Sequence, residues 1–424
     1  MNPDVDAIRA RFPSLSTQDN GVSRIYFDNP AGTQVPASVA KAVADSMIDS
    51  CANQGGPFRT SRLVNELIKD ARHAMADLLN AESVDEIIFG QSMTALTFSL
   101  SRSIGPTLEA GDEIVVSQMD HDANITPWVM MARDHDLRIR WLPFSTETYE
   151  FDLADLDELL TDRTRMVCVG GASNLTGTLH DIRTICAKAR DAGAMSFIDG
   201  VQSVPHVPTD VQDIGCDFLA CSAYKFFGPH QGVLWGRREA FAPLTAYQVR
   251  PASPVIPGNF ETGTPSFELM AGTKAAVEYF DWIGTSMAAD YLDRYKHLAG
   301  RRQRLHAAMA LLTDYEQELS SHLIAGLQSI RGITVHGVTD ADAMRRRVPT
   351  VSFTSGQKDP QTIAEALAEE NMFVWHGHNY AVEVVKTLGL DDSGGVVRVG
   401  PVHYNTQSEL DRLLDSLESR VLRA

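Results

Sequence analysis

Apolar and polar positions along this chain follow two rhythms. Over residues 61–79, Val64, Leu67, Ile68, Ala71, Met75 and Leu78 recur three or four apart, which predicts an amphipathic helix with one face on a core. Elsewhere apolar residues come in short unbroken runs, near positions 87, 114, 140, 167, 197, 219 and 233, each bounded by polar turns or helical pattern. Runs of that length with no alternation are strands buried on both faces, and strands alternating with helices predict an α/β fold with a largely parallel central sheet.

The rhythm changes after residue 250. Residues 250–272 are rich in Pro and Gly and read as an extended loop. Helical pattern dominates 269–327, with a break expected near Gly284. Strands are expected at 333–335, 350–353, 373–375 and 396–399, with helices at 360–370 and 407–422. This divides the chain into an N-terminal segment (1–25), a large domain (26–285) and a smaller α/β domain (286–424).

Composition narrows the function. The 424 residues are 44% hydrophobic and 22% charged, as in a globular protein in water. The net charge of −18 repels phosphate backbones and anionic lipid, which argues against nucleic-acid and membrane partners. No apolar stretch reaches the roughly 18 residues of a membrane span. The first residues lack the basic and apolar regions of a signal peptide, and the five cysteines show no CxxC spacing, so a reducing cytoplasm is expected. Cys168 and Cys221 sit in apolar runs and read as small buried hydrophobes.

The chemistry concentrates at strand ends. The run 218–220 turns polar at Ser222, offers Lys225 and stops at Gly228-Pro229. A lysine just past a buried strand is desolvated, which favours its neutral amine, and a neutral amine can join an aldehyde as a Schiff base. The run before it ends in Asp199-Gly200-Val201-Gln202. Pyridoxal phosphate (PLP) needs both an amine for its aldehyde and an acid for its ring nitrogen. Either residue alone could be a solvated lysine or a turn cap; together at strand ends they point to PLP.

Other strand ends carry weaker signals. The turn at Gln91-Ser92-Met93-Thr94 opens a helix and could bind an anion through free N–H groups. His121, in Asp120-His121-Asp122-Ala123-Asn124, could lie flat on an aromatic cofactor or be structural. Asn174 is a polar group after the 165–169 strand. Asn29-Pro30-Ala31-Gly32 lets backbone approach a ligand, or is simply a turn. Arg398 sits inside the apolar run 396–399, where burial demands an anionic partner, either a substrate carboxylate or an internal acid. His376 and His378 have no neighbouring ligand to complete a metal site.

Taken together, Asp199-Gly200-Val201-Gln202, Ser222-Ala223-Tyr224-Lys225, Asp120-His121-Asp122-Ala123-Asn124, Gly263-Thr264-Pro265 and Tyr404-Asn405-Thr406 resemble the class V aminotransferases, fold type I PLP enzymes, and within them the cysteine desulfurase and selenocysteine lyase branch. The resemblance runs over nearly the whole chain. It implies that Lys225 holds PLP covalently and moves the α-proton, and that Asp199 pairs with the ring nitrogen. It implies that His121 stacks on the ring, that Asn174 and Gln202 bond the phenolic oxygen, and that Ser222, Ser92 and Met93 hold the phosphate. It further implies that Thr264 reaches the phosphate of a neighbouring subunit in a homodimer, and that Arg398 takes the substrate carboxylate, with Asn29 and His378 close by.

One departure matters most. Desulfurases carry a mobile cysteine after a Gly-His-His-like sequence; here Gly377-His378-Asn379-Tyr380 puts Tyr380 in that place. A phenol does not accept sulfur as a thiolate does. Trp375 also replaces an arginine of that branch. The resemblance is therefore to a subgroup without the catalytic cysteine. The expected reaction is C–S or C–Se cleavage by elimination, with Tyr380 or His378 as general acid. Transamination and epimerisation remain open on the same scaffold, as does a non-catalytic role for the fold.

Overall fold

The computed structural model describes residues 2–422. Seven strands form the large sheet: β1 (Ile87–Gly90), β2 (Glu113–Ser117), β3 (Arg138–Leu142), β4 (Thr164–Gly170), β5 (Met195–Asp199), β6 (Phe218–Ser222) and β7 (Gly232–Gly236). Their spatial order is β1-β7-β6-β5-β4-β2-β3, and β7 alone runs against the others. All seven expected strands are present and the sheet is largely parallel.

Both faces of this sheet are covered. Val115, Val167, Ile198 and Leu219 point into a core shared with α2 (Arg59–Leu79) and α4 (Phe267–Ser286). The intervening Ile114, Met166, Phe197 and Phe218 point the other way, onto Trp128 and α3 (Met93–Ile104). Side chains alternate across a strand, so burying both faces requires unbroken apolar runs. In α2 the predicted apolar stripe is the buried one, with Val64, Ile68, Ala71, Met75 and Leu78 in the core. The remaining helices named below are α1 (Ala37–Asp49) and α5 (Gly300–Ser329).

The smaller sheet comprises β8 (Ile333–His336), β9 (Val351–Ser355), β10 (Trp375–Gly377) and β11 (Val396–Val399), in the antiparallel order β8-β9-β11-β10. The run expected at 373–375 is divided. Met372–Phe373 pairs in parallel with Ile25–Tyr26, and β10 pairs with β11. Val374 is the crossing point between the two pairings. The N-terminal strand thus lies against the smaller domain, where Ile25 and Phe27 join its core.

The break near Gly284 is not where the helix ends. α4 continues through Ser286, and a 3-10 helix at Ala289–Tyr295 precedes α5. Gly284 is buried against α5, where a Cβ would stand 2.3 Å from the Arg304 carbonyl. The glycine permits two helices to touch rather than ending one of them.

Candidate active site

Parallel strands place their polar C-terminal residues on one edge of the sheet, where ligands bind in such folds. At that edge lies a cavity of about 280 Å³. β4 contributes Gly170, β5 Asp199 and β6 Ser222, and Lys225 follows one turn after β6. Asn174, Gln202 and His121 enter from the loops, and Arg398 enters from β11 of the smaller sheet.

Lys225 is held by backbone. Its Nζ donates to the carbonyls of Pro30 and Ala31, the latter at 3.0 Å. Those carbonyls belong to the tight turn after the N-terminal strand, which is what the small residues there permit. Burial, reinforced by the Arg398 charge, pushes the Lys225 amine down to about 7, against the opposing pull of Asp199 and Asp28. Near neutral pH the lysine therefore spends much of its time as a free amine.

Asp199 ends β5 with 7% of its surface exposed. Its Oδ1 accepts from the Val201 N–H at 2.9 Å, and burial pushes its carboxyl up to about 6. Asp120 lies behind it, accepting from the Gly170 N–H at 2.7 Å and from Asn124 Nδ2 at 2.9 Å. Burial, with Asp199 nearby, holds the Asp120 carboxyl well above the ordinary range. Two buried acids this close favour a single charge between them, unless a cation enters the site.

His121 accepts from the Ala123 N–H through Nδ1, at 3.0 Å, which fixes the ring. Burial, together with Lys225 and Arg398, pushes it down to about 3, so the imidazole is neutral. The Tyr380 ring stacks on it at 5.2 Å and 20°. Asn174 donates to the Asn379 carbonyl at 2.7 Å, while its buried Oδ1 has no partner. Gln202 Nε2 donates to the Pro30 carbonyl at 2.9 Å. Arg398 is 4% exposed and makes one hydrogen bond, from Nη1 to the Asn174 carbonyl at 2.9 Å. Its Nε has no partner, and no acid among the described residues forms an ion pair with it. Burial pushes the guanidinium down to about 10, with Asp28 opposing.

Four of the expected site residues lie off the cavity wall. Asn29 does not line the cavity. Its amide donates to the carbonyls of Tyr26 and Gly400, and its Oδ1 accepts from the Tyr404 hydroxyl, so its hydrogen-bonding capacity ties the N-terminal strand to the smaller domain. Ser92 is the N-cap of α3, its hydroxyl accepting from the Ala95 N–H at 3.1 Å, and it also lies off the cavity wall. Met93 and Thr94, the first two helical residues, line the cavity instead. The sequence signal for Thr94 is a hydroxyl in the first turn of the helix that this polar turn opens. Thr264 lines a separate depression with Gln91, Ala95 and Glu261, and His378 is exposed beside the cavity, its Nδ1 accepting from the Tyr380 N–H.

These groups fit PLP. The N-terminus of α3 offers free amides with Thr94 beside them and Ser222 opposite, a setting for a phosphate. Gly232 makes that approach possible, since a Cβ there would stand 2.3 Å from the Ser92 backbone. A neutral amine, a buried acid and an imidazole face complete the fit, and the buried Asn174 Oδ1 is an acceptor left for a bound group to satisfy.

The model for the class V aminotransferase family matches residues 25–413. The chain belongs to that family. As a class V aminotransferase it is a PLP-dependent enzyme. It is similar to an aminotransferase-like protein, FGM3, of Gibberella zeae, with 32% identity across 98% of each chain. It is also similar to a cysteine desulfurase of Pectobacterium atrosepticum, with 29% identity over 99% of this chain and 98% of that one. Among solved structures, the cysteine desulfurase CsdA of Escherichia coli matches with a TM-score of 0.82, 25% identity and coverage of 99% and 98%. A cysteine desulfurase from Thermococcus onnurineus NA1 shares the fold at a TM-score of 0.85 and 24% identity, with 100% and 99% coverage. The fold type I assignment follows.

No cysteine lines the cavity among the described residues. Cys51 is exposed; Cys168, Cys186, Cys216 and Cys221 are buried, and burial pushes all four thiols up. No helix is long and apolar enough to cross a membrane, and no cluster of three metal-ligating side chains occurs, again among the described residues.

Proposed function

We propose that this class V enzyme cleaves a C–S or C–Se bond in an α-amino acid by elimination, with no persulfide cysteine. The observation that carries this is Tyr380, which occupies the loop position where a thiol would have to stand, in a cavity that no cysteine lines among the described residues. A relay thiol must also swing between substrate and acceptor. The Tyr380 loop is instead tied down, by the Asp122 N–H to the Tyr380 carbonyl at 2.8 Å and by Asn174 to the Asn379 carbonyl.

In this proposal Arg398 binds the substrate carboxylate, and Lys225 in its amine form removes the α-proton. With PLP bound, Asp199 would pair with its ring nitrogen, His121 would stack on the ring, and Asn174 and Gln202 would bond the phenolic oxygen. Met93, Thr94 and Ser222 surround the phosphate. PLP, when bound, supplies the electron sink that makes the α-proton removable. Tyr380, or His378 beside it, delivers a proton to the departing sulfur. The balance for an S-substituted cysteine is substrate plus water giving pyruvate, ammonium and the free thiol. Thr264, outside the cavity of its own chain, reaches the phosphate of a second subunit, so the working form is a homodimer with shared sites, in the cytoplasm.

Incubating PLP-loaded protein with L-cysteine, L-cystine and an S-alkyl cysteine tests this. Pyruvate in step with released thiol, sulfide or persulfide is expected. Alanine with sulfur left on the protein would overturn it. A keto acid that keeps the sulfur would mean transamination, the activity that the name of the aminotransferase-like relative suggests, and loss of optical activity alone would mean epimerisation.

A further inference from the structure

We propose that Trp375 and Tyr380 form a subsite for the substrate's side chain, and that this side chain is aromatic or bulky and apolar. This rests on the assignment of the substrate carboxylate to Arg398.

The argument begins with strand register. Trp375 of β10 lies directly opposite Arg398 of β11. Directly opposed residues of an antiparallel pair point to the same face, with Cβ atoms about 4.5–5.5 Å apart. A carboxylate on Arg398 therefore has the Trp375 indole beside it. Both residues line the cavity.

Tyr380 closes the other side, and its position is built at a cost. Asn379 and Tyr380 are consecutive non-glycine residues at φ 50° and 60°. Left-handed backbone is unfavourable at a residue such as tyrosine, and less so at asparagine. The loop keeps it because the Asp122 N–H, Asn174 Nδ2 and His378 Nδ1 all bond this turn. The result fixes the phenol ring against His121. Trp375 is nonetheless 52% exposed and Tyr380 64% exposed, leaving two large rings wet at the mouth of the cavity. Apolar surface held in place and left in water at a binding site is surface that a ligand covers.

The titratable groups that line the cavity with these rings each have a partner or an assigned role. Asp120 is taken by Gly170 and Asn124, Asp199 by Val201 and the cofactor's ring nitrogen, Lys225 by the amine chemistry and Arg398 by the carboxylate. His121 is neutral, and its Nδ1 is used. None of these five cavity-lining groups is left to receive a charged side chain. Free cysteine would leave both rings uncovered. An S-aryl or S-alkyl cysteine, or an aromatic amino acid, covers them.

The test separates the ring contact from the carboxylate contact. Calorimetry on the PLP-loaded protein compares 3-phenylpropanoate with propanoate, which share a carboxylate, lack an amine and differ by one ring. Covering roughly 60 Å² of apolar surface gives a preference of about tenfold for the phenyl compound. W375A and Y380A should each reduce that ratio while leaving propanoate affinity in place, and R398Q should weaken both ligands and keep the ratio. A wild-type ratio near one, or a ratio that neither ring variant changes, overturns the proposal. If R398Q weakens neither ligand, the carboxylate assignment fails instead. If W375A turns dimers into monomers by light scattering while the ratio holds, Trp375 is an intersubunit contact and the proposal is overturned.

Discussion

Replacing Arg398 by Gln separates binding from folding. Arg398 is buried, keeps one hydrogen bond to the Asn174 carbonyl and has no acid in ion-pair range among the described residues. A guanidinium in that state has lost its water and gained little from the protein, which is why burial pushes it down to about 10. A ligand carboxylate would supply two charge-assisted hydrogen bonds, each worth about 1.5–3 kcal/mol. Glutamine can return one neutral bond of about 1 kcal/mol, so the net loss is roughly 2–5 kcal/mol, or about 30- to 5000-fold in Kd. The folded protein loses one hydrogen bond and one buried unpaired charge, which offset each other. Its melting temperature should stay within about 2 °C of wild type. Calorimetric titration with 3-phenylpropanoate and a thermal melt of the same sample measure both quantities. An unchanged Kd would refute the carboxylate assignment. A large fall in melting temperature with Kd unchanged would make Arg398 a structural cation.

Two further outcomes follow from the site. Gly232→Ala should weaken PLP binding and lower stability by about 1–3 kcal/mol, because its Cβ would push on the Ser92–Met93 backbone that starts α3; wild-type PLP affinity and melting temperature in the variant would show that this contact relaxes freely. The rate of PLP loading should rise with pH through about 7, since only the neutral Lys225 amine attacks an aldehyde. The same depressed value makes the cofactor-free protein gain stability from this group as pH rises from about 7 towards 10.5, the window in which the unfolded chain holds the proton and the folded one does not. K225A is the control: borohydride treatment should leave a permanent mass adduct on wild type and none on the variant, and a loading rate flat in pH would refute the lysine's shift.

The sequence by itself determined the class of fold and the neighbourhood of the chemistry. Unbroken apolar runs separated by helical pattern leave few alternatives to a buried, mostly parallel sheet. Residues just past those runs, such as Asp199, Ser222 and Lys225, then gather on one edge because parallel strands end together. What the linear pattern does not encode is which partner a side chain meets across the fold. Asn29 and Ser92 stand in suggestive turns, yet one spends its amide on Tyr26 and Gly400 and the other caps α3, while Thr94 lines the cavity. Gly284 looks like a helix break but marks the contact with α5. The pairing of Trp375 with Arg398 depends on a strand register between segments more than 20 residues apart, and the place of Tyr380 depends on hydrogen bonds from Asp122 and Asn174, some 200 residues away or more. Periodicity reports burial, which is a property of one segment and its solvent. Partner choice is set by the geometry of two segments at once, and only the folded chain fixes it.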